Sequence, residues 1–136
     1  MPMKKVVLAG GCFDILHPGH IFFLGKAKEA GDTLVILLES DEKVRQLKGG
    51  NRPIHNQKDR AKILQALRFV DQVVCLPFTN NDHEYLKIVK KIKPDVIAVT
   101  QGYGDLTRHK QIAKLIGAEL KYVTNIVGNH SSSRIV

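Results

Sequence analysis

Five short apolar runs recur along this chain, and a segment with helical spacing follows each of the first four. No other feature constrains the fold as much. Neighbouring parallel strands need a long crossover, and a helix is the ordinary way to make one. The runs fall at residues 5–9, 33–38, 72–76, 94–100 and 119–123. Helical spacing reads at 21–30, 57–69 and 106–116, with Ile63, Leu64 and Leu67 on one face of the second. Ser40 predicts the N-cap of a short helix to residue 46, Asn81 with Glu84 a capping box for a helix to 92, and Gly117 a C′ residue. Residues 48–56 read as a polar loop. The expected fold is α/β: a Rossmann-like, doubly wound, five-stranded parallel sheet with helices on both faces, one domain over residues 1–136. Right-handed crossovers then put all carboxyl strand ends on one edge, where such folds bind ligands.

The first run leads into residues 10–20, G-G-C-F-D-I-L-H-P-G-H. The order is strand, glycine turn, two histidines three apart, helix. A helix N-terminus presents unpaired N–H groups and the positive end of the dipole, so it favours anions. Gly10 and Gly11 suit a sharp turn and a close ligand approach, Pro18 suits a first helical turn, and Gly19 keeps that turn open. His17 and His20 add hydrogen bonds, and charge when protonated. A phosphate chain is the expected ligand. Taken alone, the glycines and the helix start equally suit an ordinary strand-to-helix turn with two surface histidines. The loop at residues 100–105 and the serines at 131–133 follow the fourth and fifth strands, so three separated segments share one edge.

The net charge of +8 raises the question of nucleic acid. The lysines are scattered, however. Lys87, Lys90, Lys91 and Lys93 cluster on one helical segment and its end, where a solvated face is the plain explanation. There is no zinc-finger spacing, RNP-type motif or basic tail, so neither nucleic acid nor membrane is an expected partner. No apolar stretch reaches the roughly 20 residues needed to span a bilayer. Cys12 and Cys75, the only cysteines, form no C-x-x-C pair, which predicts two free thiols in a reducing cytoplasm. Cys12 either fills a tight turn or offers a reactive thiol. His17-x-x-His20 with His130 lacks a carboxylate or cysteine set to complete a metal site, so no protein-held metal is expected.

Residues 12–20 resemble the H-x-G-H signature of the cytidylyltransferase-like nucleotidyltransferases. Leu47-Lys48-Gly49 with Arg52-Pro53 and Arg60, and Ser131-Ser132-Ser133-Arg134-Ile135, are similar to two further segments of that superfamily. The nearest groups are glycerol-3-phosphate cytidylyltransferases, the nucleotidyltransferase domain of ADP-heptose synthases and archaeal FAD synthetases. The resemblance implies transfer of a nucleoside monophosphate from CTP or ATP to a phosphorylated small molecule, of glycerol 3-phosphate or sugar 1-phosphate type, with release of pyrophosphate. By the same resemblance, His17, His20 and Lys48 are catalytic. Gly11, Cys12, Phe13, Asp14, Gly19, Gln101, Gly102, Asp105, His130, Ser131, Ser132, Ser133 and Arg134 join the histidines in holding the nucleotide. Lys48, Arg52 and Arg60 contact the acceptor. Asp14 either assists or braces the turn. Mg²⁺ bound through the nucleotide phosphates and a homodimer are further implications. Arg134 stands where lysine is usual, Ile126 lies in the stretch where some relatives carry an arginine, and the loop V-T-Q-G-Y-G-D matches no single subgroup. These departures leave open CTP or ATP, an FAD synthetase-type acceptor (flavin mononucleotide), and a non-catalytic nucleotide-sensing module. A class I tRNA synthetase shares the histidine signature, but 136 residues leave no room for tRNA-binding domains.

Overall fold

A computed structural model describes residues 4–79, 81–102 and 105–125. The strands are β1 (Val6–Gly11), β2 (Thr33–Leu38), β3 (Gln72–Cys75), β4 (Val96–Gln101) and β5 (Glu119–Asn125). The helices are α1 (Pro18–Glu29), α2 (Asp41–Lys48), α3 (Gln57–Gln65), α4 (Asp82–Ile92) and α5 (Thr107–Ile116). All strand pairs are parallel and the order is β3-β2-β1-β4-β5. The order reverses between β1 and β4, so the crevice for a ligand opens at their carboxyl ends. The expected five-stranded sheet is the one found.

The central strands are buried on both faces, which is why β2 reads as five consecutive apolar residues after Thr33 rather than as an alternation. One face packs Val7, Ala9, Leu34, Ile36 and Leu38 against Leu24 and Ala27 of α1 and Ala61 and Leu64 of α3. The other packs Leu8, Val35, Leu37, Ile97 and Val99 against Val89 of α4 and Ile112 and Ala113 of α5. The sheet's amino edge is closed by three aspartates. Asp32 accepts the Lys5 N–H at 2.7 Å, Asp95 that of Val6 at 2.8 Å and Asp71 that of Leu34 at 2.8 Å.

Several local expectations hold. Ser40 caps α2 by accepting the Lys43 N–H, and Gly117 ends α5 in the left-handed region at φ 75°. Others shift. Lys48 is the last residue of α2 rather than part of the loop. α3 stops at Gln65, four residues early, and Phe69 reaches back so that its ring faces Gly25 of α1. Asn81 caps α4 through the His83 N–H, and no reciprocal bond from Glu84 completes a capping box.

Candidate active site

His17 is the N-cap of α1, with extended backbone. Its Nδ1 accepts the Gly19 N–H at 3.1 Å, and the His20 Nδ1 accepts the His17 N–H at 3.4 Å. Two histidines thus form the reciprocal capping box usually built from serine and glutamate. Their ring centroids lie 3.8 Å apart, and the Phe13 ring meets His20 edge-on at 5.5 Å. Because both Nδ1 atoms accept, the ring protons sit on Nε2. The His17 Nε2 is buried and has no hydrogen-bond partner among the described residues. An unmade bond of this kind costs about 1–3 kcal/mol, which an incoming acceptor oxygen recovers.

Burial lowers the His17 pKa. Burial, then the neighbouring His17 and Lys48, pull His20 down to about 4. At neutral pH both imidazoles are therefore uncharged N–H donors. The positive charge comes instead from Lys48, at the exposed end of α2 and near enough to act on both His20 and the Cys12 thiol. Burial raises the Cys12 pKa, so this side chain is a thiol filling space, not a thiolate.

The turn works differently from expectation. Gly10 and Gly11 remain inside β1, paired with Leu37 and Leu38. The left-handed residue is Phe13, at φ 46°. Gly11 is needed because the Phe13 ring folds back over it, and a Cβ there would lie 2.9 Å from that ring.

Asp14 is 4% exposed and braces this turn. It accepts from Arg52 Nε at 2.5 Å, from the Ile54 N–H at 2.9 Å and from the His55 N–H at 3.0 Å. Burial works to raise its pKa, but Arg52 and the two backbone donors hold it below the usual carboxylate value. Arg52 reaches the site edge but commits its Nε to this brace. Arg60, expected at the acceptor, is instead fully buried. It donates to the carbonyls of His55, Cys12 and Glu39 and to the Asp41 carboxylate. With those bonds made, Arg60 is a structural tie and not an acceptor contact.

Gln101 and Gly102, the latter at φ 80°, lie exposed at the carboxyl end of β4. Asp105 lies just before α5 and accepts the N–H and the hydroxyl of Thr107 at 2.9 Å and 2.6 Å. His130, Ser131, Ser132, Ser133 and Arg134 lie outside the described residues. Glu39, Tyr85 and Arg108 also line this edge, and the sequence reading missed them. The available signal was position: Glu39 is the first charged residue after the buried β2, where a ligand edge begins.

Residues 8–115 match the model of a family described as cytidylyltransferase-like. The bifunctional protein HldE of Campylobacter fetus is 40% identical over 132 residues, covering 97% of this chain and 27% of that protein. That of Campylobacter concisus is 49% identical over 100 residues, covering 74% of this chain and 20% of the relative. The chain thus spans about a quarter of the length of the curated relatives it matches. Among solved structures, a lipopolysaccharide core biosynthesis protein from Thermoplasma volcanium superposes with a TM-score of 0.71 at 31% identity, covering 92% of this chain and 98% of that one. The pantoate-beta-alanine ligase of Francisella tularensis shares the fold, with a TM-score of 0.63 at 16% identity over 93% of this chain and 60% of that one.

Proposed function

We propose a nucleotidyl transfer for this chain, which belongs to the cytidylyltransferase-like family. In this reading, a phosphate oxygen of a small acceptor attacks the α-phosphorus of CTP or ATP, and pyrophosphate leaves. The acceptor is a sugar phosphate or a compound of glycerol 3-phosphate type, a reading supported by the likeness to HldE proteins and to a lipopolysaccharide core biosynthesis protein. The single observation that carries the reaction is the buried, unpartnered Nε2–H of His17 at the N-terminus of α1. It is a fixed donor in search of an anionic oxygen, at a helix end that favours one.

The acceptor phosphate is ionised before it attacks, so no side chain has to remove a proton. What remains is alignment and stabilisation of charge on the reacting phosphate. His17 and His20 donate to it as neutral imidazoles, already oriented by the bonds to their Nδ1 atoms. Lys48 neutralises charge from the end of α2. The Asp14–Arg52 pair holds residues 52–55 against the turn and so fixes one wall. No cluster of three His, Cys, Asp or Glu able to hold a metal exists among the described residues. Mg²⁺ held through the nucleotide phosphates belongs to the same proposal. Mg²⁺ bound in this way supplies charge neutralisation at the phosphates. A homodimer, which sedimentation of the full chain tests, belongs to the same proposal, as does a cytoplasmic location.

The deciding assay is pyrophosphate release with Mg²⁺, testing CTP and ATP separately against glycerol 3-phosphate, a sugar 1-phosphate and flavin mononucleotide. Release with one nucleotide and a phosphorylated polyol is the expected result. Nucleotide binding without release for any acceptor would replace the transfer by a sensing role.

A further inference from the structure

Two residues other than glycine hold left-handed backbone among the described residues, Phe13 at φ 46° and Lys93 at φ 56°. Lys93 is exposed and ends α4, a common place for that conformation. Phe13 is buried and stands in the turn between β1 and α1. A bulky side chain is rare in this region, because its Cβ crowds the backbone, and such strain persists only where the surroundings enforce it. Filling the core does not require it. Val7, Ala9, Leu24 and Ala27 fill the same cluster from ordinary strands and helices.

What the left-handed turn achieves is the direction of the ring. The ring folds back over Gly11, where an added Cβ would stand 2.9 Å from its Cε2 and 3.2 Å from its Cζ. From there it meets the His20 imidazole at 5.5 Å, with the two planes 64° apart. His20 needs such a support. Its Nδ1 accepts the His17 N–H at 3.4 Å, beyond the roughly 3.2 Å within which such bonds are firm. The His17 Nδ1 is better held, by the Gly19 N–H at 3.1 Å. The torsion that turns a histidine ring is broad when nothing packs against it. Two rings at different angles, His17 at 32° and Phe13 at 64°, together restrict it for His20.

We propose that Phe13 is the positioning residue of His20: its left-handed backbone sets the ring against the imidazole and so fixes where the His20 Nε2–H points. Gly11 belongs to the same device, as the position that must lack a Cβ for the ring to lie there. Lys48 and the Ile15 carbonyl also act on His20, the first from an exposed helix end and the second from the turn itself. Phe13 therefore serves the site through His20 and not through a polar contact of its own. The inference rests on the transfer proposed above for what His20 does, while the packing of the two rings stands without it.

The test uses the full chain labelled with ¹⁵N, without ligand. Long-range ¹H–¹⁵N spectra report the tautomer of each imidazole, and a pH titration reports its midpoint. Phe13→Leu keeps an apolar side chain and loses the ring. In it, His20 is expected to lose its single Nε2–H form and to titrate at least about half a pH unit higher than in the wild type, because water reaches it. His17 is expected to keep its form through Gly19. Gly11→Ala is the second variant. Gly11 ends β1 and is not left-handed, so its backbone accepts alanine, while the added methyl displaces the Phe13 ring. The same response of His20 is expected, and this variant decides alone if Phe13→Leu fails to fold. An unchanged His20 in the folded variants would overturn the proposal and leave Phe13 as core filling. Equal changes in both imidazoles would overturn it too, as a general loosening. Turnover separates the two proposals. With pyrophosphate release established for the wild type, kcat in both variants is expected to fall about ten-fold, with the nucleotide KM within two-fold. No release with any nucleotide and acceptor, alongside a loosened His20 in the variants, would sink the transfer and leave the positioning of His20 standing.

Discussion

The two edges of the sheet are finished in opposite ways. At the amino edge, Asp32, Asp71 and Asp95 each accept a backbone N–H from a neighbouring strand or its approach, so the carboxylates there are spent on the fold. At the carboxyl edge, the His17 Nε2 and the Glu39 carboxylate are withdrawn from water without a protein partner among the described residues. Stability is concentrated where polar groups are matched, and chemistry where they are left open. Arg60 is the exception: it lies beneath the carboxyl edge and is fully matched.

Breaking that exception gives the largest effect. Arg60→Met leaves the Cys12, Glu39 and His55 carbonyls and Asp41 without their donor, and should destabilise the fold by about 3 kcal/mol. Chemical denaturation checks it; a loss below about 1 kcal/mol would show that the tie is dispensable. The next variant sharpens the contrast. His17→Asn keeps an N-cap side chain but removes the Nε2 donor, so stability should hold while kcat falls about 100-fold, the scale of one lost transition-state donor. Retained turnover would remove His17 from the chemistry. At the amino edge, Asp95→Ala should do the opposite, costing about 1–2 kcal/mol with kcat/KM unchanged, since it frees one backbone N–H far from the site.

pH gives a smaller effect with a definite sign. His20 has its pKa lowered from 6.5 to about 4, so between those values the unfolded chain holds a proton that the folded chain refuses. Stability should therefore fall as pH drops through that window and level off below it. Comparing melting temperatures of wild type and His20→Asn across the window isolates this contribution, and identical pH slopes would refute it. Smallest of all is the thiol contrast. Exposed Cys75 should react with iodoacetamide faster than half-buried Cys12, whose pKa is raised.

The fold was legible because its signals are local. The five apolar residues of β2, the Ser40 cap and Gly117 each act within a few positions of themselves. α3 misleads because Leu67 and Phe69 continue its apolar spacing, yet they pack onto the core after the helix has ended. The histidine pair was legible as a motif, but its tautomers and neutrality depend on burial, which spacing does not encode. Arg60 shows the limit most sharply. An arginine beside a phosphate-binding segment reads as a ligand contact, and only the meeting of Cys12, Glu39 and His55 around it shows otherwise. Glu39 was invisible for the converse reason: its lack of a partner is a fact of three dimensions.

The position of Arg60 also bears on how the chain assembles. Its guanidinium exchanges water for the carbonyls of Cys12, Glu39 and His55, which come from three separate stretches of chain. Until β1 and β2 are paired, those carbonyls are apart and the charge has every reason to stay hydrated. A slip of one residue between the two strands would carry the Glu39 carbonyl away from that of Cys12 and leave the cation buried with acceptors missing. Arg60 thus acts as a proof-reader, because this side of the molecule can close only over correctly aligned strands.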